Sequence, residues 1–125
     1  MAVFGKRSKA KMKGVDARLQ NVFQEVVKEF DCSVIEGIRS QERQNELVAQ
    51  GKSKTKFGKH VQGKALDVAP YPIDWTDRDR FHYFGGYVKG IAEIMGVKVR
   101  WGGDWDGDFE TKDNKFDDLV HFELA

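Results

Sequence analysis

Residues 65–69 read ALDVA, a short run that is apolar at every position but one. A run of this length, closed by Pro70, reads as a buried strand. The exception is Asp67. An aspartate inside an apolar strand is costly unless it is paired or bound to a metal. Any fold this chain adopts must therefore bring partners to that carboxylate.

The candidate partners are few. The chain holds three histidines, His60, His82 and His121, and a single cysteine, Cys32. One cysteine makes no intramolecular disulfide and no zinc-finger spacing, so a metal would have to be held by histidine and carboxylate. His60 opens the segment HVQGKALD, and Gly63 within it lets the chain turn so that His60 and Asp67 converge. His121 lies in a second apolar strand, DDLVHFEL. Two histidines and one carboxylate are three of the four ligands of a tetrahedral zinc, with the fourth place open to water. From spacing alone the alternative stays open that each is a polar residue satisfied at a strand edge. The same trio also suits a non-haem iron triad. Such sites usually place one residue between the first histidine and the acid, whereas six intervene between His60 and Asp67. His82 has no acidic partner at metal-ligand spacing and reads as a surface or boundary histidine.

The elements around these residues are mixed. Val15, Leu19, Val22, Val26 and Phe30 recur at helical spacing, which predicts a helix over 15–30. Ser33–Ile38 reads as a strand, and Ser40 caps a helix that stops near Gly51. Residues 52–59 read as a loop. Asp74 or Thr76 caps a long helix with Phe81, Phe84, Val88, Ile91 and Met95 on its apolar face, ended by Gly96. Val97, Val99 and Trp101 alternate as a strand, and Leu119–Leu124 is the last one. Without a regular strand–helix–strand repeat, the class is α+β. At 125 residues, 40% hydrophobic and 33% charged, the chain suits one soluble domain spanning 1–125. No apolar run approaches the roughly 18 residues that cross a bilayer, so no membrane insertion is expected. The basic start lacks an apolar stretch after it, so no signal peptide is expected and synthesis is cytoplasmic.

Charge is unevenly spread. Residues 1–64 hold fourteen Lys/Arg against seven Asp/Glu, and residues 65–125 hold seven against thirteen. Two solvated faces explain this, and so does a cationic side for an anionic polymer with an acidic side for cations. Lys6, Arg7, Lys9, Lys11 and Lys13 fit a frayed terminus as well as a binding arm. Asp104, Asp106, Asp108 and Glu110 alternate around Gly107 like the start of a calcium loop. The twelfth position of that pattern falls on Lys115, so an EF-hand is not completed. Trp101 and Trp105 read as packing residues.

Three blocks carry a family resemblance: GIRSQERQ at 37–44, HVQGKALD at 60–67, and WGGDW at 101–105 with DDLVHFEL at 117–124. In this order and spacing they resemble the VanY-like zinc D-alanyl-D-alanine carboxypeptidases, nearest to the branch of phage L-alanyl-D-glutamate endopeptidases (endolysins). The resemblance implies a small antiparallel sheet flanked by helices, as in hedgehog and D-Ala-D-Ala peptidases. It implies His60, Asp67 and His121 as zinc ligands, Asp118 as catalytic carboxylate and Arg39 near the scissile carbonyl. Gln44 would help shape the substrate site. Asp117 competes with Asp118, and the three-residue spacing to His121 favours Asp118. Gly58 stands where the family often has Ser, and Val120 where it often has Pro; neither change removes a ligand. The implied activity is hydrolysis of an amide bond in the peptidoglycan stem peptide, between L-Ala and D-Glu, by a phage or prophage endolysin. A D-alanyl-D-alanine carboxypeptidase and a non-catalytic wall-binding module are the alternatives. The expected partner is the stem peptide, with no nucleic acid, and the expected state is a monomer reaching the wall after release. Calcium is a candidate regulatory ion at the acidic loop.

Overall fold

The structure is a computed structural model that describes residues 2–38, 41–51, 59–112 and 117–125, with only the backbone of Gln41. The loop expected over 52–59, apart from Lys59, lies outside the described residues, as do Arg39 and Ser40. The described elements run α1 (Lys6–Met12), α2 (Ala17–Glu29), β1 (Cys32–Glu36), α3 (Gln41–Ala49), β2 (Ala65–Pro70), α4 (Arg78–Ile94), β3 (Val99–Gly102) and β4 (Asp118–Leu124). The strands form one antiparallel sheet in the order β1-β2-β4-β3.

The sheet has an apolar face because alternate strand residues share a side. Leu66 and Val68 of β2, with Phe122 and Leu124 of β4, join Leu19, Val22, Phe23 and Val26 of α2 and Phe81, Phe84 and Val88 of α4 in the core. Phe122 is wholly buried, with Phe23 edge-on at 5.2 Å, Phe84 edge-on at 6.0 Å and Trp101 stacked at 6.4 Å between centroids. Asp67, His121 and Glu123 fall between these apolar positions. Helix α2 starts at Asp16, whose carboxylate accepts from the Arg18 N–H at 2.9 Å, satisfying one of the free donors of the first turn.

Several local expectations shift. The basic start, which fitted a frayed terminus as well as a binding arm, forms helix α1. Phe4, Ser8 and Met12 recur every four residues and are buried, and the Ser8 Oγ accepts from the Val34 N–H of edge strand β1 at 3.0 Å. The lysines between them hid that stripe. The cap of α4 is Asp77, which accepts from the Arg80 N–H at 3.2 Å. Asp74 instead accepts from the N–H and hydroxyl of Thr76 in a local turn. Val97 donates back to the Ala92 carbonyl, so it closes the helix and β3 begins at Val99. Met95 is exposed, whereas Ala92, not expected on the apolar face, is buried. The last strand starts one residue early, at Asp118.

The glycines of α4 differ in role. A Cβ on Gly85 would lie 2.2 Å from the Trp101 indole, whereas one on Gly86 or Gly90 meets nothing within 4 Å. Gly85→Ala should therefore destabilise the protein by about 1–3 kcal/mol through overpacking. Gly86→Ala should stabilise it by about 0.4–1 kcal/mol by restricting the unfolded chain. Urea unfolding midpoints of the two variants check the opposite signs.

Candidate metal centre

The polar face of the sheet gathers the centre. Antiparallel register sets Asp67 of β2 directly opposite His121 of β4. His60 arrives from the turn before β2. In that turn Gly63 has φ +70°, a conformation suited to glycine, and its N–H donates to the His60 carbonyl at 3.2 Å. The turn folds His60 back over β2, as the sequence suggested. The Asp67 Oδ1 then lies 3.0 Å from His60 Nε2 and 3.2 Å from His121 Nδ1. The two imidazoles meet edge-on, 5.1 Å between centroids. His60 is 4% exposed, and Asp67 and His121 are nearly enclosed.

The outer ring nitrogens decide what the inner ones can do. His60 Nδ1 lies 2.8 Å from the Gly37 carbonyl, which only accepts, so this nitrogen carries the proton. His121 Nε2 lies 2.8 Å from Glu123 Oε1, and a carboxylate likewise only accepts. A neutral imidazole held this way turns its lone pair inward. Both lone pairs then face an anionic oxygen, an arrangement that calls for a shared cation or for protons. Donors held about 2.0–2.1 Å from one tetrahedral zinc stand about 3.3 Å apart. The 3.0 and 3.2 Å separations fit such an ion, and the carbonyl and carboxylate behind the rings are the usual outer support of metal-bound histidine.

Asp118 opens β4. Regular alternation would send residues three apart to opposite faces. The register breaks between Trp101, opposite Phe122, and Gly102, opposite Asp118. Four residues of β4 are thus matched to one step of β3, and the odd excess reverses the alternation. Gly102 permits this because a Cβ there would strike the Asp118 carbonyl at 2.1 Å. The charge of Asp118 is felt by His121. Asp117 is ion-paired with Arg78. A cavity of about 180 Å³ beside them is lined by Trp75, Arg78, Phe81, Asp117, Asp118, Leu119 and Val120.

The other expected residues divide. Gln44 is buried at 1% exposure on α3. Carboxylate oxygens of Asp104, Asp106 and Asp108 lie within 4.8 Å of one another, apart from the histidine centre. Glu110 is outside that group and donates its backbone N–H to Asp108 Oδ1 at 2.9 Å. His82 Nδ1 faces the Arg78 carbonyl at 2.9 Å. Trp101 is a packing residue that donates from Nε1 to the Leu119 carbonyl at 2.9 Å. Trp105 sits against the His121 ring at 5.5 Å. Glu123, Arg100 and the Gly37 carbonyl were not singled out from the sequence. The signal for Glu123 was its place two residues after His121, on the same face of the strand.

Over residues 1–125 the chain matches the family model described as phage L-alanyl-D-glutamate peptidase. The chain belongs to that family. An L-alanyl-D-glutamate peptidase of Escherichia phage T5 is 32% identical over 134 residues, covering 98% of this chain and 97% of that protein. Among solved structures, the Serratia marcescens L-Ala D-Glu endopeptidase ChiX is 31% identical, with a TM-score of 0.82 over 98% of this chain and 89% of its own. The vancomycin-resistance D,D-pentapeptidase VanY, solved with Zn(II), shares the fold at 17% identity and a TM-score of 0.55, over 88% of this chain and 72% of its own. The α+β fold of this family member is thus the one the sequence blocks implied. Among the described residues no helix is long and apolar enough to cross a membrane.

Asp67 and His121 shift each other's protonation. Burial works against the Asp67 charge, but hydrogen bonds from His121 and His60 outweigh it and hold the carboxyl well below its usual range. Burial also opposes a charged His121, yet Asp67 first, then Glu123 and Asp118, raise its pKa. The raised histidine stabilises the fold fully below its unfolded value of about 6.5, and the contribution is lost as pH rises through the folded value. The depressed aspartate contributes fully above about 3.9, and that is lost as pH falls through its folded value. Chelator-treated protein should therefore resist heat best between about pH 4 and 6.5. Melting curves in chelator check this, and His121→Gln should flatten the alkaline limb.

Proposed function

We propose that this chain is a zinc-dependent L-alanyl-D-glutamate peptidase, one catalytic domain over 1–125, that cuts the stem peptide of peptidoglycan. The observation that carries the reading is the convergence of His60, Asp67 and His121, with both outer ring nitrogens already engaged. Family membership supports the substrate. We infer that it works as a monomeric phage or prophage endolysin, made in the cytoplasm and acting on the wall after release.

Zinc held there would supply Lewis acidity and a bound water with a pKa near 7. The chain's own residues do the rest. Asp118, aligned with His121 by the break in β4, takes the proton of the attacking water and returns it to the leaving amine. Asp117 is ion-paired with Arg78, and the three-residue spacing to His121 favours Asp118 for this role. The cavity beside Asp118, walled by Trp75 and Phe81, seats part of the peptide. Gln44 shapes the site from within α3. Arg39, outside the described residues, is assigned to the oxyanion by the resemblance.

Muropeptide mass spectrometry tests the reading. Digestion should free stem peptides that begin at D-Glu and leave L-Ala on the glycan; release of terminal D-Ala alone would mean a carboxypeptidase. Alanine at His60, Asp67 or His121 should abolish binding of about one zinc per chain together with lysis. Asp118→Asn should keep zinc and lose about 10²–10⁴-fold in turnover. Inactive Asp117→Asn beside normal Asp118→Asn would reverse the assignment.

We infer a second ion at the acidic loop. Asp104 is buried and accepts from the Asp108 N–H at 3.3 Å and the Phe109 N–H at 3.0 Å, and Gly107 turns the loop at φ +66°. Asp106 is raised above the usual carboxylate range by desolvation, then by Asp108 and Asp104. A hard cation with oxygen ligands relieves that repulsion. We assign calcium to Asp104, Asp106 and Asp108, with Glu110 at the margin. Millimolar calcium should raise lysis in the wild type, and Asp106→Ala with Asp108→Ala should remove the response while zinc stays bound. Equal lysis in calcium and in a calcium-selective chelator would rule the site out.

A further inference from the structure

His121 is held from two sides by residues that are not metal ligands. Glu123, 5% exposed, stands two positions along β4 and opposite Arg100 of β3. Its two oxygens are divided. Oε1 accepts from His121 Nε2 at 2.8 Å, and Oε2 from Arg100 Nη2 at 3.1 Å. The Arg100 guanidinium also lies over the Trp105 indole at 5.3 Å, and that indole leans on the His121 ring at 42°. An imidazole edge, its face and the carboxylate behind it are thus tied to one arginine.

We propose that Glu123 is the positioning residue of the metal centre, locked by Arg100. Resting on the zinc reading above, it keeps the proton on His121 Nε2, so that Nδ1 is the donor aimed at the ion, and it fixes the ring plane. Burial explains why a carboxylate needs this arrangement: with one partner removed, an enclosed anion is strongly unfavourable. Arg100 supplies the second partner from the half-exposed side. Trp105 then limits rotation of the ring about its bond to the strand. Carbonyl support at His60 and carboxylate support at His121 make the two histidines unequal, with His121 the one whose orientation depends on a side chain.

Zinc affinity, measured by competition with a chromophoric chelator, reads this directly. Glu123→Gln should bind zinc about 10–100-fold more weakly than the wild type. Its cobalt(II)-substituted form should show a shifted visible absorption spectrum, while its far-ultraviolet circular dichroism stays that of the wild type. Arg100→Gln, made at a half-exposed position away from the ion, should weaken zinc in the same direction and covers the case in which the Glu123 variant fails to fold. Wild-type zinc affinity and an unchanged cobalt spectrum in folded Glu123→Gln, or wild-type affinity in Arg100→Gln where the former does not fold, would overturn the proposal and leave the zinc reading intact. A wild-type protein that takes up no zinc would overturn both.

Discussion

Burial of Phe122 sets the register on which the site depends. Its ring is enclosed by Phe23, Phe84 and Trp101, so β4 cannot slide by one residue without turning that ring to the polar side. With Phe122 facing the core, His121 and Glu123 must face away from it. The same alternation in β2 buries Leu66 and Val68 and presents Asp67. Antiparallel pairing then puts Asp67 across from His121 and Arg100 across from Glu123. The chemistry is thus a by-product of apolar packing one residue away on each strand.

What stands on the polar face is a chain of groups that each satisfy the next. Gly37 supports His60, His60 and His121 both meet Asp67, and Glu123 joins His121 to Arg100. Partly paired buried charges are costly, and a fully engaged set is rigid. Rigidity matters for a metal centre because ligand atoms must already be spaced for the ion. Two strands and one turn, elements that also carry the core, hold His60, Asp67 and His121 at a spacing that suits one ion.

Asp118 shows how a local irregularity serves the same end. In a regular β4 it would not share a side with His121. The break opposite Gly102 reverses the alternation, and the glycine is required there by the close approach of the Asp118 carbonyl. Gly85 plays a related part from the helix side, since it leaves room for the Trp101 indole that stacks on Phe122. Small residues in WGGDW and on α4 therefore bear on the centre without touching it.

The sequence by itself determined the α+β class and most element positions, and it singled out His60, Asp67 and His121, which the structure brings together. A lone aspartate in ALDVA, a histidine in a second apolar strand and three ordered blocks pointed to them, because a buried charge must have partners. It misread α1, since the lysines on the outer face masked the four-residue stripe of Phe4, Ser8 and Met12. It also misplaced the α4 cap, because Asp74, Thr76 and Asp77 are chemically equivalent candidates and only backbone geometry separates them. Tertiary structure alone decided which residues back His60 and His121. Gly37, Arg100 and Trp105 are distant in sequence from the histidine they support or sit on another strand, and spacing within one strand carries no information about its neighbours. The side of β4 that Asp118 shares was likewise settled only by pairing with β3, because a strand's alternation can be read from sequence whereas a break in it is imposed by the partner strand.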